Sequence, residues 1–369
     1  MDYPLGHRLR ELPGPLLLTG HTGFKGTWMT FLLEHLNVSV VGYSLPAERD
    51  SLYERAERIG SIPEIFKDIR DYRALEEFID AHKPSTIIHM AAQPLVLKSY
   101  ENPRETFDVN VMGTVNVLDI AFKRDFVKAI IVVTTDKVYR NDNSGRAFIE
   151  TDPLEGKDPY SASKVGTEAV VAAWQQIAKV TGGPKVTSVR AGNVIGGGDF
   201  AENRIIPDLI RSVLTGKSTE IRNPISTRPW QHVLDPCVGY IITAEKLIEG
   251  RTLGSLNFGP EVSSYSVQHV ASIGKSVIPE ISYQVVSREN SQNSLEAESL
   301  NLCSILSGKE LNWAPKWDSE KACQITFNWW KNLLTGRVAS EQLCINDIIK
   351  YLEDRSKSSS NKMTHRRIR

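Results

Sequence analysis

The sequence has no surplus of either charge: 44 Lys and Arg stand against 44 Asp and Glu. No global basic field therefore points to nucleic acid or to an anionic membrane surface. No apolar run approaches the roughly 20 residues that span a bilayer. The start, Met1-Asp2-Tyr3-Pro4, lacks the basic-then-apolar layout of a secretion signal. Cysteine is scarce: Cys237, Cys303, Cys323 and Cys344 are scattered with no metal-like spacing. Without a secretion signal they are expected as reduced thiols in a cytoplasmic protein, with no metal bound. Internal repeats are absent too. What remains is a chain of 369 residues, enough for one large domain or two joined ones.

Strand and helix patterns alternate through the first half. Residues 15–19 read as a short apolar strand, and Gly20-His21-Thr22-Gly23-Phe24-Lys25-Gly26 follows at once. Trp28, Phe31, Leu32 and Leu36 then recur at helical steps. Further strands are expected at 38–43, 65–68, 86–90, 129–133 and 186–190. Helices are expected at 72–82, 103–123 and 160–179. Such alternation argues for a parallel sheet covered on both faces, an α/β fold. Beyond Gly192 the pattern loosens among Gly196-Gly197-Gly198 and Pro207, Pro224, Pro229 and Pro236. Strands at 256–258 and 281–286 and helices at 324–334 and 340–352 suggest a smaller lobe over the sheet's edge. The stretch 355–369 is rich in Ser, Lys and Arg and holds no acid, so it is expected as a disordered basic tail.

Gly20, Gly23 and Gly26 form G-x-x-G-x-x-G between strand and helix. The first allows a tight turn, the second backbone approach to a pyrophosphate, the third close packing of helix on sheet. The helix start then offers amides to phosphate. A Walker loop is excluded, because Lys25 precedes Gly26 rather than following it. The second strand ends at Gly42-Tyr43-Ser44 without the acid that usually grips an adenosine ribose, which loosens the choice of NAD over NADP. Arg49 could meet a 2′-phosphate. Asp68-Ile69, ending the third strand, could reach the adenine; the competing reading of Asp68 is a helix cap or surface acid. Ala91-Ala92-Gln93 follows the fourth strand, where small residues let a cofactor lie on the backbone. Asn110 and Gly113 are expected to serve packing.

Thr134-Thr135-Asp136-Lys137 follows the strand at 129–133, and Tyr160-Ser161-Ala162-Ser163-Lys164 opens the next helix. Tyr160 and Lys164, four apart, share a helix face. An ammonium about 4 Å from a phenol, at an effective dielectric near 20, favours the phenolate by roughly 4 kcal/mol. That is about three pKa units, enough to bring a tyrosine from about 10 towards neutrality. Such a base can take an alcohol's proton while a nicotinamide takes the hydride. Thr135 can hold the same alcohol. Asp136 and Lys137 add what a plain dehydrogenase does not need: an acid for a leaving hydroxyl and a group for an acidified α-proton.

These segments resemble the extended short-chain dehydrogenase/reductase family, the NAD-dependent epimerases and dehydratases, and within it the sugar-nucleotide 4,6-dehydratases of the CDP-glucose branch. The resemblance is carried by residues 19–26 (TGHTGFKG), 91–96 (AAQPLV), 110–114 (NVMGT), 135–139 (TDKVY), 158–164 (DPYSASK), 190–199 (RAGNVIGGGD), 221–224 (IRNP) and 227–233 (TRPWQHV), and more weakly by 311–315 (LNWAP). It implies a Rossmann-type doubly wound parallel sheet at 13–192, to which some later segments return. A smaller lobe binding the sugar nucleotide, mainly 193–350, would follow. It further implies NAD on Gly20, Thr22, Gly23, Phe24, Lys25, Gly26, Asp68, Ile69, Ala91, Ala92, Gln93, Tyr160 and Lys164. The implied substrate is CDP-glucose or a related sugar nucleotide, and the implied assembly a homodimer or dimer of dimers. Implied roles are Tyr160, Thr135 and Lys164 at the C4 alcohol and Asp136 as acid at the C6 oxygen. Lys137 stands where many dehydratases carry a glutamate base for C5. Asn193, Arg204 and Arg228 are implied substrate contacts, while His232 is read as a fixed hydrogen-bonding residue. The implied product is a 4-keto-6-deoxy sugar. A 4-epimerase would need Tyr160, Lys164 and Thr135 but not Asp136; a non-catalytic NAD-binding scaffold would need none of them. Departures from the family pattern are Leu295-Glu296-Ala297 for His-Glu-Ala, Leu302-Cys303-Ser304, and Asn312-Trp313 where Gly-Trp is common.

Overall fold

The alternation read from the sequence holds in the computed structural model, which describes residues 4–261, 265–286 and 300–366, with side chains to residue 357. Seven strands build the central sheet: β1 (Leu16–Thr19), β2 (Val40–Ser44), β3 (Glu64–Phe66), β4 (Thr86–His89), β5 (Ala129–Val133), β6 (Lys185–Ala191) and β7 (Leu256–Phe258). Their order is β7-β6-β5-β4-β1-β2-β3, and every pairing is parallel. The order reverses between β1 and β4, and a doubly wound sheet places ligands in the crevice outside that point.

Strands covered on both faces are apolar throughout, and β1 and β5 are buried at every position. Successive side chains point to opposite faces. Ile131 and Val133 therefore join one core with Trp28, Phe31 and Val238, while Ile130 and Val132 join the other with Phe78, Val117 and Leu118. The helices in chain order are α1 (Phe24–His35), α2 (Tyr72–His82), α3 (Val96–Glu101), α4 (Pro103–Phe107), α5 (Gly113–Phe122), α6 (Pro159–Thr181), α7 (Ile205–Thr215), α8 (Leu234–Ile248), α9 (Val267–Val277), α10 (Ser319–Leu334) and α11 (Ser340–Arg366). Short helices at His7–Glu11, Leu52–Arg55 and Ile305–Leu311 complete the set among the described residues. Helices α1, α8 and α10 cover the first core, and α2, α5 and α6 the second.

Two expectations change. The single helix expected at 103–123 is α4 and α5 joined by a π-helical turn, Asp108–Met112. The wide turn sends Asn110 inward, where it meets Gln93 and Ser163. Beyond residue 192, β7 pairs with β6 and α8 packs into the first core. Lastly, the backbone is helical to Arg366, where a disordered tail was expected over 355–369. Leu343, Cys344, Ile348 and Tyr351 seat the first half of α11 in the core. No Gly or Pro follows Gly336 to stop the helix.

The C-terminal departures from the family pattern have local explanations where they are described. Asn312 sits left-handed, φ +52°, directly after the helix Ile305–Leu311. This is a position that favours Gly and that Asn tolerates. Leu302 pairs with Phe148 on a short parallel strand, the Cys303 amide donates to Phe148 O, and Ser304 Oγ accepts from the Gly259 amide. Leu295-Glu296-Ala297 lies outside the described residues.

Candidate active site

The glycine turn is shaped by what it lacks. Gly20 is left-handed, φ +72°, and a Cβ there would lie 2.7 Å from the Ala91 amide nitrogen. A Cβ at Gly26 would lie 2.1 Å from the Gly20 carbonyl oxygen. Gly23 caps α1 with no side chain over the helix start, so first-turn amides are left for an anion. Thr22 Oγ1 bonds Ser44 Oγ at 2.8 Å and donates to Leu45 O at 3.0 Å, tying the turn to the end of β2. Phe24 and Lys25 open α1. This backbone-walled cradle fits a dinucleotide pyrophosphate.

The rest of the expected cofactor set is more mixed. Asp68 stands beyond β3, but its carboxylate takes three bonds from Arg70, from Nε at 3.0 Å, Nη2 at 2.6 Å and the backbone amide at 2.8 Å, which hold it below the usual carboxylate range. It is a paired rim acid. Ile69 is buried, and a Cβ at Gly113 would lie 2.7 Å from Ile69 Cγ2. Ala91 and Ala92 are half-buried beside the turn, with the Ala91 amide on Thr19 Oγ1. Gln93 is a loop clamp: its backbone amide donates to Asn110 Oδ1, and its Nε2 to Leu95 O and Thr106 Oγ1. Arg49 is exposed beside Asp50.

Helix α6 is placed by its first turn. Asp158 caps it, accepting from the Ser161 amide at 2.9 Å, and Pro159 takes the first helical position. The Tyr160 amide donates to Ser99 Oγ of α3 at 3.1 Å. A Cβ at Gly156 would lie 2.1 Å from the Ala162 nitrogen, so the loop entering α6 can only press this close through glycine. Asn110 Nδ2 donates to Ser163 Oγ at 2.8 Å, locking the next turn.

Opposite this face stands the end of β5. Thr135 Oγ1 accepts from the Lys137 amide at 3.3 Å and donates to Asp136 Oδ1 at 3.0 Å, closing a short 3-10 turn, Asp136–Val138. Asp136 is buried, and its Oδ2 has no hydrogen-bond partner among the described residues. Burial raises its pKa against the opposing charges of Lys137 and Arg228 and the Thr135 hydrogen bond. A Cβ at Gly192 would crowd that oxygen at 3.3 Å.

The expected near-neutral tyrosine is not what the geometry gives. Burial pushes the Tyr160 phenol up to about 12, with a Thr135 hydrogen bond pulling it down and the Asp136 charge adding to the rise. Lys164 Nζ donates to Val133 O at 3.1 Å rather than to the phenol. Burial, helped by the charge of Lys25, brings Lys164 down to about 8 against the opposing charge of Glu168. Lys25 is itself lowered to about 8 by burial, and feels Cys237, Arg204 and Asp136. Its Nζ lies 3.4 Å from Tyr240 Oη. The strand end and the helix start thus converge, joined by Lys25 from the glycine turn.

The expected substrate residues ring this centre unevenly. Arg228 is buried, donates Nη1 to Thr227 O, and acts electrostatically on Asp136. Arg204, 39% exposed, pairs with Asp199 at 2.8 Å, and its charge is felt at Tyr160. Asn193 is half-buried, its carbonyl accepting from the Gln231 amide. His232 is buried between the rings of Trp28 and Trp317, and burial pushes it down to about 3, so it stays neutral. Sequence reasoning missed Ser99, Glu168 and Arg190. Their partners lie tens of residues away, and no local spacing marks them.

A family model described as the NAD dependent epimerase/dehydratase family matches residues 16–259. The CDP-glucose 4,6-dehydratase of Salmonella typhimurium is 38% identical over 330 residues, covering 87% of this chain and 91% of that protein. Among solved structures, the chain is similar to UDP-glucose-4-epimerase from Stenotrophomonas maltophila with bound NAD and formylated UDP-arabinopyranose. That match has a TM-score of 0.74 and 19% identity and covers 88% of this chain and 99% of that one. It is also similar to dTDP-glucose 4,6-dehydratase from Bacillus anthracis in complex with NAD. There the TM-score is 0.71 and the identity 22%, with coverage of 86% and 97%.

Proposed function

The chain belongs to the NAD dependent epimerase/dehydratase family, and from that premise we propose that it is a sugar-nucleotide 4,6-dehydratase, a hydro-lyase converting CDP-glucose to CDP-4-keto-6-deoxyglucose. The observation that carries the reading is Asp136. Burial raises the pKa of this carboxyl, which favours its acid form, and its Oδ2 is left unengaged beside Thr135 and Tyr160. Oxidising an alcohol needs no such acid; expelling a hydroxyl does.

NAD, held by the Gly20–Gly26 turn, Ala91-Ala92 and the Tyr160/Lys164 face, with Asp68-Ile69 at the rim, supplies a hydride acceptor and later a hydride donor. Tyr160, aligned by Thr135, takes the proton of the C4 hydroxyl as its phenolate, the form that burial disfavours and that the Thr135 hydrogen bond and the Arg204 charge favour. The positive charge of Lys164 supports that transfer. The ketone at C4 acidifies the C5 hydrogen, and Asp136 delivers its proton to the departing C6 oxygen. The C5 proton goes either to Lys137 in its unprotonated form or to Asp136 as the carboxylate, which then passes that same proton to the C6 oxygen. Arg228, Arg204 and Asn193 fit the sugar nucleotide, since guanidinium groups match a pyrophosphate. Burial of Asp136, Tyr160 and Lys164 excludes bulk water from the proton transfers.

Incubation with CDP-glucose and NAD should give the 4-keto product, with the CMP-, UDP-, dTDP- and GDP-sugars run alongside as controls. Unchanged CDP-glucose would sink the reading.

We also propose a homodimer joined through α4, the π turn and α6. Phe107 (41%), Met112 (49%) and Ile177 (41%) leave apolar surface exposed there. Val171 is buried in the chain's own core, and Val170 and Trp174 lean on it. Sedimentation should show a dimer or a dimer of dimers; a clean monomer would remove this proposal.

A further inference from the structure

Tyr160, Lys164 and Glu168 follow one another at steps of four, so they lie along one face of α6. Each meets the end of β5 at a different point. Tyr160 meets the Thr135 hydroxyl. Lys164 Nζ meets the Val133 carbonyl at 3.1 Å. Glu168 Oε1 accepts from Thr134 Oγ1 at 2.5 Å. The third contact lies away from the alcohol chemistry, yet it is the most heavily bonded. Glu168 is buried and accepts five hydrogen bonds. Besides Thr134 these come from Arg190 Nε at 3.0 Å, Arg190 Nη2 at 2.7 Å, Ser188 at 2.7 Å and Ser255 at 3.1 Å.

We propose that Glu168 is a positioning residue for the reaction: it fixes the Tyr160/Lys164 face of α6 against Thr134-Thr135-Asp136 and faces Lys164 with a compensating charge. The carboxylate bonds β5 through Thr134, β6 through Ser188 and Arg190, and the chain entering β7 through Ser255. A helix pinned to three neighbouring strands at one carboxylate cannot slide along the sheet without breaking all of these bonds. Arg190 extends the anchor: its Nη1 donates to Tyr139 Oη at 2.8 Å, and Tyr139 Oη donates to Asn257 Oδ1 at 2.7 Å. Tyr139 closes the turn that carries Asp136. Both halves of the catalytic stretch therefore hang from one buried ion pair.

The electrostatics point the same way. Lys164 is faced by Lys25 from α1, by neutral His89 from β4 and by Tyr160 and Glu168 from its own helix. Glu168 is faced by Arg190, and Arg190 by Tyr139 and Glu150. Of the groups acting on Lys164, Glu168 is the negative one, and it opposes burial and Lys25. Removing its charge leaves Arg190 uncompensated and favours loss of the Lys164 proton.

The test follows Lys164 itself. In full-length protein labelled with 13C-lysine, its resonance is assigned with Lys164→Arg and titrated. Glu168→Gln should lower the midpoint by about one pH unit or more and reduce kcat about tenfold or more, with KM changing less. Glu168→Asp keeps the charge and should hold the midpoint near wild type while recovering part of kcat. Thr134→Val removes only a hydroxyl; it should leave the midpoint in place and lower kcat a few-fold. A midpoint unmoved by Glu168→Gln overturns the proposal, as does a kcat within about twofold of wild type. If Glu168→Gln does not fold, wild-type kcat in both Glu168→Asp and Thr134→Val overturns it. Only the kcat arm rests on the dehydratase reading. If wild-type protein turns over no sugar nucleotide, that reading fails and the resonance titration still decides this one.

Discussion

Asp136 separates two chemistries that share every other residue of the centre. Tyr160, Thr135 and Lys164 would serve any oxidation at an alcohol, and an epimerase would need no more. Asp136→Asn keeps the shape and the bond from Thr135 but cannot release a proton to a leaving oxygen. A dehydratase should then lose about 10²- to 10⁴-fold in kcat with little change in KM; an epimerase would keep most of its turnover. Measuring both products for the variant decides. The residues of this centre were legible because each stands in a short motif with its own chemistry. What was not legible was their environment. Tyr160 pairs with Lys164 by spacing, yet burial drives the phenol up to about 12 and the ammonium reaches for Val133 O. Spacing reports which groups share a face; it does not report desolvation. Ser99 and Glu168 were missed for a related reason: their partners stand 61 and 34 positions away.

Among the elements, the strands and helices of the sheet's first five strands were readable from apolar runs and helical periods. Helix α8 was not, because it is buried on nearly every side and shows no polar stripe. It carries Asp235, whose carboxylate also escaped notice. Asp235 Oδ1 accepts from Tyr351 Oη of α11 at 2.6 Å and from the Lys316 amide at 2.6 Å, so it joins α8 to the C-terminal helices. Burial raises it to about 7, far above the roughly 3.9 of an unfolded aspartate. The native state thus holds a proton that the unfolded chain has lost between about pH 4 and pH 7. The stability this gives is complete below the unfolded value, falls as pH rises through that window, and is gone above about 7. One such proton corresponds to about 1.4 kcal/mol per pH unit. Asp235→Asn should therefore flatten the fall in stability between about pH 5 and 7 by about that slope. Chemical denaturation across that range measures it; an unchanged slope would place the titration elsewhere.

For the molecule as a whole, the sequence suggested a cofactor domain followed by a substrate lobe, and the packing joins the two. The first core runs without a break from Leu9 to Tyr351, taking in β1, β5 and β6 along with α8, α10 and α11. Strand β7 closes the sheet beside β6, where Thr187 Oγ1 donates to Gly254 O and Ser188 Oγ lies 2.8 Å from Ser255 Oγ. The first 192 residues alone would lose that strand and α8, exposing Val133 and Val189 on one sheet face and leaving Arg190 and Glu168 at a bare edge. An uncovered sheet face and an unpaired parallel edge both favour aggregation over folding. A fragment of residues 1–192 should accordingly show no cooperative unfolding transition and should be degraded rapidly by protease. The full chain should unfold as one unit, because the two cores share the strands of one sheet. A fragment that melted cooperatively, near the midpoint of the full chain, would mean that the sheet is complete without β7 and α8. The catalytic stretch would then stand on a domain independent of the lobe that supplies Arg204 and Arg228, and substrate specificity could be exchanged by exchanging lobes. The continuous core argues against that. Here the elements that carry Arg204 and Arg228 and those that carry the glycine turn are packed as one body, so a change in the lobe should reach Asp136 through the packing of α8 as well as through contacts with substrate.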